Sequence, residues 1–255
     1  MGGRRLRAAA VVAVVGLSPL AGCASGGDDD EGRRVLTVFA AASLSGAFSE
    51  IAADFEAATP GVSVRLSVDG SRGLVDQIVG GAPADVFASA DVRTMDRVAS
   101  AGLLVSEPVP FATNVLTLIT PPGNPAGVTG LDSSLDGVRL VTCADGVPCG
   151  SAARELAGAA GVELRPVSEE SAVTDVRGKV TSGEADAGIV YVTDALAVAD
   201  AVEQIPIAGA DTAATVYPIG VLDRATDPGL SQRFVDAVTG PAGREVLAAY
   251  GFGAP

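Results

Sequence analysis

The chain has 255 residues, 48% of them apolar and only 4% aromatic, which is enough to bury a sizeable core built mainly of Ala, Val, Leu and Ile. Seventeen basic against thirty-one acidic residues give a net charge of −14, and a surface that negative repels phosphate backbones, so a nucleic-acid partner is excluded. With no His and a single Lys, Lys179, the chain has no His-based acid–base chemistry, no His-ligated metal and no P-loop lysine motif.

In chain order, Arg4, Arg5 and Arg7 precede an apolar run over residues 8–17 and then Leu20-Ala21-Gly22-Cys23. This pattern predicts a signal peptide over residues 1–22 with a lipoprotein-type ending, and Cys23 as the lipidated N-terminus of an exported protein held at the outer face of the cell membrane. The apolar run is too short to span roughly 30 Å of hydrocarbon as a transmembrane helix. Removing residues 1–22 takes away three Arg and no acid, leaving 14 basic and 31 acidic residues and a charge of −17. Residues 23–34 contain Gly, Ser and an acidic run with nothing to bury, and are expected to form a flexible tether. Cys143 and Cys149 sit six apart in an exported chain, where oxidation is the default, and are expected to form a disulfide.

From Val35 onward, short β-branched runs alternate with helical stretches. Residues 35–41 read as a buried strand. Leu44, Phe48, Ile51 and Phe55 then fall on one face of a helix over residues 43–58, which Thr59-Pro60-Gly61 stops. Val62, Val64, Leu66 and Val68 alternate with polar residues as a half-buried strand. A second helix follows Ser71 and ends near Gly80-Gly81, and residues 84–88 form another short strand. Further strands are expected over residues 114–119, 138–142 and 187–192, with a helix from Ser151. A last helix pair over residues 230–238 and 242–250 is broken by Gly240-Pro241. The βαβα order implies mostly parallel sheets, and the length after residue 22 favours two α/β lobes.

Several of the loops that follow strands place a small or hydroxylated residue where a helix begins: Ser43, Ser71, and Cys149-Gly150-Ser151. Each helix start exposes about four unpaired N–H groups and roughly half a positive charge, and so can bind an anion. Taken singly, each Ser reads equally as an ordinary N-cap. The residue pattern by itself reaches a two-lobed α/β protein with the means to bind an anion.

Three segments go further. Val38-Phe39-Ala40-Ala41-Ala42-Ser43-Leu44, then Gly81-Ala82-Pro83-Ala84-Asp85-Val86-Phe87-Ala88-Ser89-Ala90-Asp91, then Gly183-Glu184-Ala185-Asp186-Ala187-Gly188-Ile189-Val190-Tyr191 closely resemble the molybdate-binding proteins of ABC importers, over about residues 35–252. The middle segment is common to type II periplasmic binding proteins and bears only on the fold. The resemblance implies the two-lobed type II fold, with lobe I at residues 35–112 and 218–255, lobe II at 113–217, and the ligand in the cleft between them. It implies a monomeric carrier that takes molybdate or tungstate and delivers it to an ABC permease, with no other cofactor and no bare metal cation. The implied ligand set is Ser43 and Ser71 (side chain and amide), the backbone N–H of Cys149, the backbone N–H of Val173, and the Tyr191 hydroxyl. Asp175-Val176-Arg177-Gly178 makes Val176 the tempting donor, but the family's donor lies eighteen residues before the tyrosine, which is Val173. Gly70-Ser71-Arg72-Gly73 has Arg72 where a second Ser is frequent, and this Arg is expected to face solvent.

A doubly charged tetrahedral oxyanion has acceptors only, so a pocket of donors without a carboxylate suits it. Sulfate has the same pattern and is the alternative ligand, to be separated by cavity size. Catalysis is not expected, since Ser43 and Ser71 have no His. Tyr191, Tyr217 and Tyr250 are too dispersed for a tyrosine-clustered iron site, and Cys143 with Cys149 lacks the four ligands of a structural zinc.

Overall fold

The computed structural model describes Met1 and residues 33–255. The signal peptide at 1–22, the lipidation of Cys23 and nearly all of the tether lie outside the described residues. Among the described residues no helix is long and apolar enough to cross a membrane.

The first half of the fold begins with β1 (Arg34–Ala41), a 3₁₀ turn (Ala42–Leu44), α1 (Ser45–Ala58), β2 (Val62–Asp69), α2 (Ser71–Val79), β3 (Val86–Ala88), α3 (Val92–Ser100) and β4 (Val109–Asn114). The second half holds β5 (Leu116–Thr120), β6 (Leu140–Cys143), α4 (Pro148–Ala160), β7 (Ser168–Glu170), α5 (Val173–Thr181), β8 (Ala187–Tyr191), α6 (Val192–Leu196) and β9 (Glu203–Pro206). The chain then returns to the first half with β10 (Thr215–Val221), α7 (Pro228–Thr239) and α8 (Pro241–Ala249).

Two five-stranded sheets result, ordered β2-β1-β3-β10-β4 and β7-β6-β8-β5-β9. The expected two-lobed α/β architecture is the observed one, and each sheet is mixed. β1 pairs parallel to β2 and β3, while β10 runs against both β3 and β4. β6 pairs parallel to β7 and β8, while β5 runs against β8 and β9. The reversed strand of each sheet is the first one after a crossing from the other half, which is why its direction differs. One crossing is Val115 alone, between β4 and β5; the other is residues 207–214, between β9 and β10.

Apolar side chains on alternating strand positions divide between two layers. Leu36, Val38 and Ala40 of β1 face a core with Phe48, Phe55 and Phe234, whereas Phe39 faces Leu74, Phe87 and Met95 on the other side of the sheet. In the second half, Leu118, Leu140, Val176, Val180 and Ile189 share one core. The buried carboxylate of Asp85 accepts the amides of Thr37 and Thr226, both at 2.7 Å, tying β1 to the segment before α7. That accounts for the acidic residue in a segment that carries fold rather than ligand.

Several elements depart from the sequence expectation. α4 begins at Pro148, three residues before the expected start at Ser151, because Pro favours the first helical position and needs no N–H partner there. Ser43 lies in a 3₁₀ turn ahead of α1 rather than inside it. α3 was not read from the sequence, although Asp91 caps it by accepting the Thr94 amide at 2.8 Å and Met95 and Val98 bury one face. Edge strand β7 is Ser-Glu-Glu, with no apolar alternation to reveal it. The disulfide is present between Cys143 and Cys149, with Cα atoms 5.7 Å apart, and joins the end of β6 to the first turn of α4.

Candidate functional site

The two sheets direct their loops at one small cavity. Ala41, Ala42, Ser43, Gly70, Ser71 and Ala90 line it from the first half, and Val147, Pro148, Cys149, Val173 and Tyr191 from the second. Its volume is about 10 Å³, room for about one water-sized body. Sites for drug-sized organic ligands run to roughly 300–1,000 Å³. This one is scaled to a small ion. A larger cleft of about 680 Å³ lies in the second half, beside Asp132, Arg139 and Arg165, and none of the five expected ligand residues lines it.

All five of those residues, Ser43, Ser71, Cys149, Val173 and Tyr191, lie on the wall of the small cavity. Three stand at helix starts. Ser71 is the first residue of α2, Cys149 the second of α4, and Val173 the first of α5, so their amides belong to first turns, whose N–H groups have no partner in the helix. The positive ends of three helix dipoles therefore meet here. Val176 is fully buried one turn further on, and a Cβ built on Gly188 of β8 would lie 2.9 Å from its Cγ1. It packs α5 onto the sheet and does not line the cavity.

The hydroxyls are not spent on helix capping. The caps of the 3₁₀ turn and of α2 are Ala41 and Gly70, and neither start has a side-chain cap bond. Ser71 Oγ accepts the Ala90 amide at 3.0 Å, so its own proton remains to be donated. Ser43 Oγ lies 3.0 Å from the Tyr217 hydroxyl. The Tyr191 side chain is 1% exposed and its hydroxyl has no hydrogen-bond partner among the described residues. Burial drives the Tyr191 phenol well above its ordinary range, so it keeps its proton and stays a donor. A buried donor with nothing to donate to is costly unless a ligand accepts from it.

Among the described residues, no carboxylate and no cationic side chain lines the cavity. Arg72 does not line the cavity; its Nη1 donates to the Asp145 carbonyl at 3.0 Å, reaching from α2 to the disulfide loop of the other half. Two acids act on Tyr191 from nearby, Asp91 and Asp194, and the buried one is Asp194, in the first turn of α6 and 2% exposed. Burial lifts its carboxyl to about 7, against the pull of Arg177, whose Nη1 is 3.8 Å away. Gly70, Asn114 and Tyr217 were not singled out as site residues from the sequence, and only the Gly-Ser step after β2 carried a local signal for any of them.

The chain is similar to known proteins. The family model described as bacterial extracellular solute-binding protein matches residues 36–253. The molybdate-binding protein ModA of Mycobacterium tuberculosis is 47% identical over 226 residues, covering 88% of this chain and 87% of that protein. The chain belongs to this family of solute-binding proteins. ModA of Escherichia coli is 34% identical, covering 88% of this chain and 90% of its own. Among solved structures, the periplasmic molybdate-binding protein of Azotobacter vinelandii superposes with a TM-score of 0.76 at 22% identity, over 86% of this chain and 99% of that one. The sulfate-binding protein SubI of M. tuberculosis gives 0.69 at 21%, over 86% of each chain. These two likenesses speak for the fold. Membership also places the protein among carriers rather than enzymes.

Proposed function

We propose that this protein captures molybdate or tungstate, fully deprotonated, in the inter-lobe cavity and hands it to an ABC permease. The observation that carries the reading is the cavity wall itself, which offers hydroxyls and first-turn amides and no acceptor carboxylate. A dianion with only acceptors satisfies every one of these donors, whereas a protonated anion leaves its own O–H unpaired. Oriented dipoles at contact range outweigh surface charges screened beyond about 8 Å, so the acidic surface does not prevent anion capture. The 47% identical relatives named for molybdate binding favour this ion over sulfate.

In this reading Ser43 and Ser71 donate through side chain and amide, Cys149 and Val173 through their amides, and Tyr191 through its hydroxyl. The lobes divide near the β4–β5 and β9–β10 crossings and close on the ion. Anion binding then stabilises the closed form by its differential affinity for the two states, and the closed form is what the permease recognises. Lipid on Cys23 tethers the protein to the outer membrane face; the support is the Leu20-Ala21-Gly22-Cys23 ending. A structure with molybdate bound tests the assignment. Anion oxygens should lie within hydrogen-bond distance of Ser43, Ser71, the Cys149 and Val173 amides and Tyr191. Contact with Val176 N, with Val173 N remote, would overturn the register.

A further inference from the structure

Behind Ser43 lies a buried polar chain whose one fixed end favours a single direction of donation. Asn114, at the end of β4 and 3% exposed, accepts the Val115 amide at 3.0 Å through Oδ1. A backbone amide can only donate, so this bond fixes which end of the Asn114 side chain is the oxygen. Its Nδ2 then donates to Thr193 Oγ1 at 2.8 Å and to the Tyr217 hydroxyl at 3.4 Å. The Tyr217 hydroxyl lies 3.0 Å from Ser43 Oγ, where either oxygen can donate; with Nδ2 donating to the Tyr217 oxygen, donation to Ser43 Oγ is the arrangement that uses the Tyr217 proton. Tyr217 is wholly buried, and burial pushes its phenol above the ordinary range, so it has that proton to give. Ser43 Oγ accepts in turn, and its remaining proton points away from Tyr217, toward the cavity it lines.

We infer that Asn114 and Tyr217 are positioning residues which orient the Ser43 hydroxyl as an obligatory donor and thereby make the site select fully deprotonated anions over protonated ones. Neither residue lines the cavity. They act through Ser43, and they stand on the strands flanking the two crossings, β4 and β10. Ser71 receives the same treatment from the Ala90 amide. Both serine hydroxyls are thus committed before the ion arrives. This orientation spares the ion the cost of reorganising the wall and turns the hydroxyl protons, rather than their lone pairs, toward it, which disfavours the proton of a hydrogen phosphate.

The inference rests on the oxyanion reading above, and its test is arranged so that the two fail separately. Replacing Asn114 by Asp puts an acceptor where Nδ2 donates: the Tyr217 proton turns to the new carboxylate, the Tyr217 oxygen becomes an acceptor, and Ser43 donates backward and shows its lone pair to the cavity. Calorimetric dissociation constants for molybdate and for hydrogen phosphate would be measured on the purified full chain and on Asn114→Asp. The expected result is that the preference for molybdate over hydrogen phosphate falls at least about tenfold, the order expected when one buried donor is replaced by an acceptor. A fresh negative charge acting only through the field would weaken both dianions by the same factor, and an unchanged ratio overturns the inference. Tyr217→Phe is the second variant. It keeps the ring that packs edge-on against Phe111, Tyr191 and Phe252 and removes the relay, and a smaller fall in the ratio is expected. If the wild type prefers sulfate to molybdate, the molybdate reading fails while the sulfate-to-hydrogen-phosphate ratio still decides the relay. A wild type that binds none of these anions overturns both.

Discussion

Gly70 and Ser171 meet backbone to backbone across the cleft: a Cβ added to Gly70 would lie 2.0 Å from the Ser171 carbonyl oxygen and 3.1 Å from its carbon. Gly70 has φ −57° and ψ 132°, a conformation open to any residue, so its missing side chain serves the approach of the two lobes and not a turn. Gly70→Ala should therefore leave the fold intact and obstruct closure. Relieving such a clash costs about 1–3 kcal/mol, which is roughly 5- to 150-fold in affinity. Calorimetry reads the loss, and small-angle scattering should find the variant more open than the wild type in saturating ligand. Wild-type affinity in Gly70→Ala would show that the contact does not belong to the bound state.

Arg72 makes a second contact between the halves, from α2 to the Asp145 carbonyl. It is exposed, so the bond is worth about 1 kcal/mol, or roughly fivefold. Arg72→Ala should appear mainly as faster ion release in stopped-flow displacement, with association little changed. A variant whose dissociation rate equals that of the wild type would remove Arg72 from the closing machinery.

The disulfide holds the loop that presents the Cys149 amide. Gly150 leaves no room for adjustment, since a Cβ there would lie 2.1 Å from the Ala144 carbonyl oxygen and 2.5 Å from that of Cys143. Closing so short a loop contributes about 2 kcal/mol on the chain-entropy account. The Cys143→Ser, Cys149→Ser double variant should melt roughly 4–8 °C lower and also bind the ion more weakly. Equal melting of the wild type with and without reductant, once thiol titration shows the bond to be broken, would refute the bracing role.

Asp194 gives the fold a pH dependence of known sign. Its folded-state carboxyl is raised from 3.8 to about 7 by burial, with Arg177 of α5 opposing and the Tyr191 backbone of the preceding strand facing it. A raised folded value means that the folded protein holds the proton more tightly than the unfolded chain. The stability linked to it is full below about pH 4 and is lost as pH rises through 7, by about 4 kcal/mol at most. Asp186, Asp227 and Glu170 are shifted downward, so their contribution is lost only at more acid pH. Urea midpoints should fall between pH 5 and pH 8 in the wild type and stay nearly flat in Asp194→Asn. The same slope in both would assign the titration to another group.

Which features the sequence exposed follows from the range over which they are determined. Of the five expected ligand residues, Ser43, Ser71 and Cys149 carry a local signal, each at a strand-to-helix junction, whereas Val173 and Tyr191 were legible only through the family resemblance. Val173 could be separated from Val176 because three residues are nearly a full helical turn and only one of the two amides lies at the helix start. The Asn114–Tyr217 relay was hidden, since its members are 103 residues apart in sequence and meet only because β10 pairs with β4. Nothing local in the sequence reports that the backbone of the other half lies against Gly70. The reversed strands escaped for the same reason: strand direction is set by where the chain crosses between halves, and apolar periodicity does not record it.

The central claim is that a wall of neutral donors selects a fully deprotonated tetrahedral dianion of the size of molybdate. Titration calorimetry of the purified full chain with molybdate, tungstate, sulfate and hydrogen phosphate tests it most directly. The account predicts tight, one-to-one binding of molybdate and tungstate, sulfate weaker by about a hundredfold or more for want of size, and hydrogen phosphate weaker again for its unpaired proton. Sulfate or hydrogen phosphate binding as tightly as molybdate would contradict it.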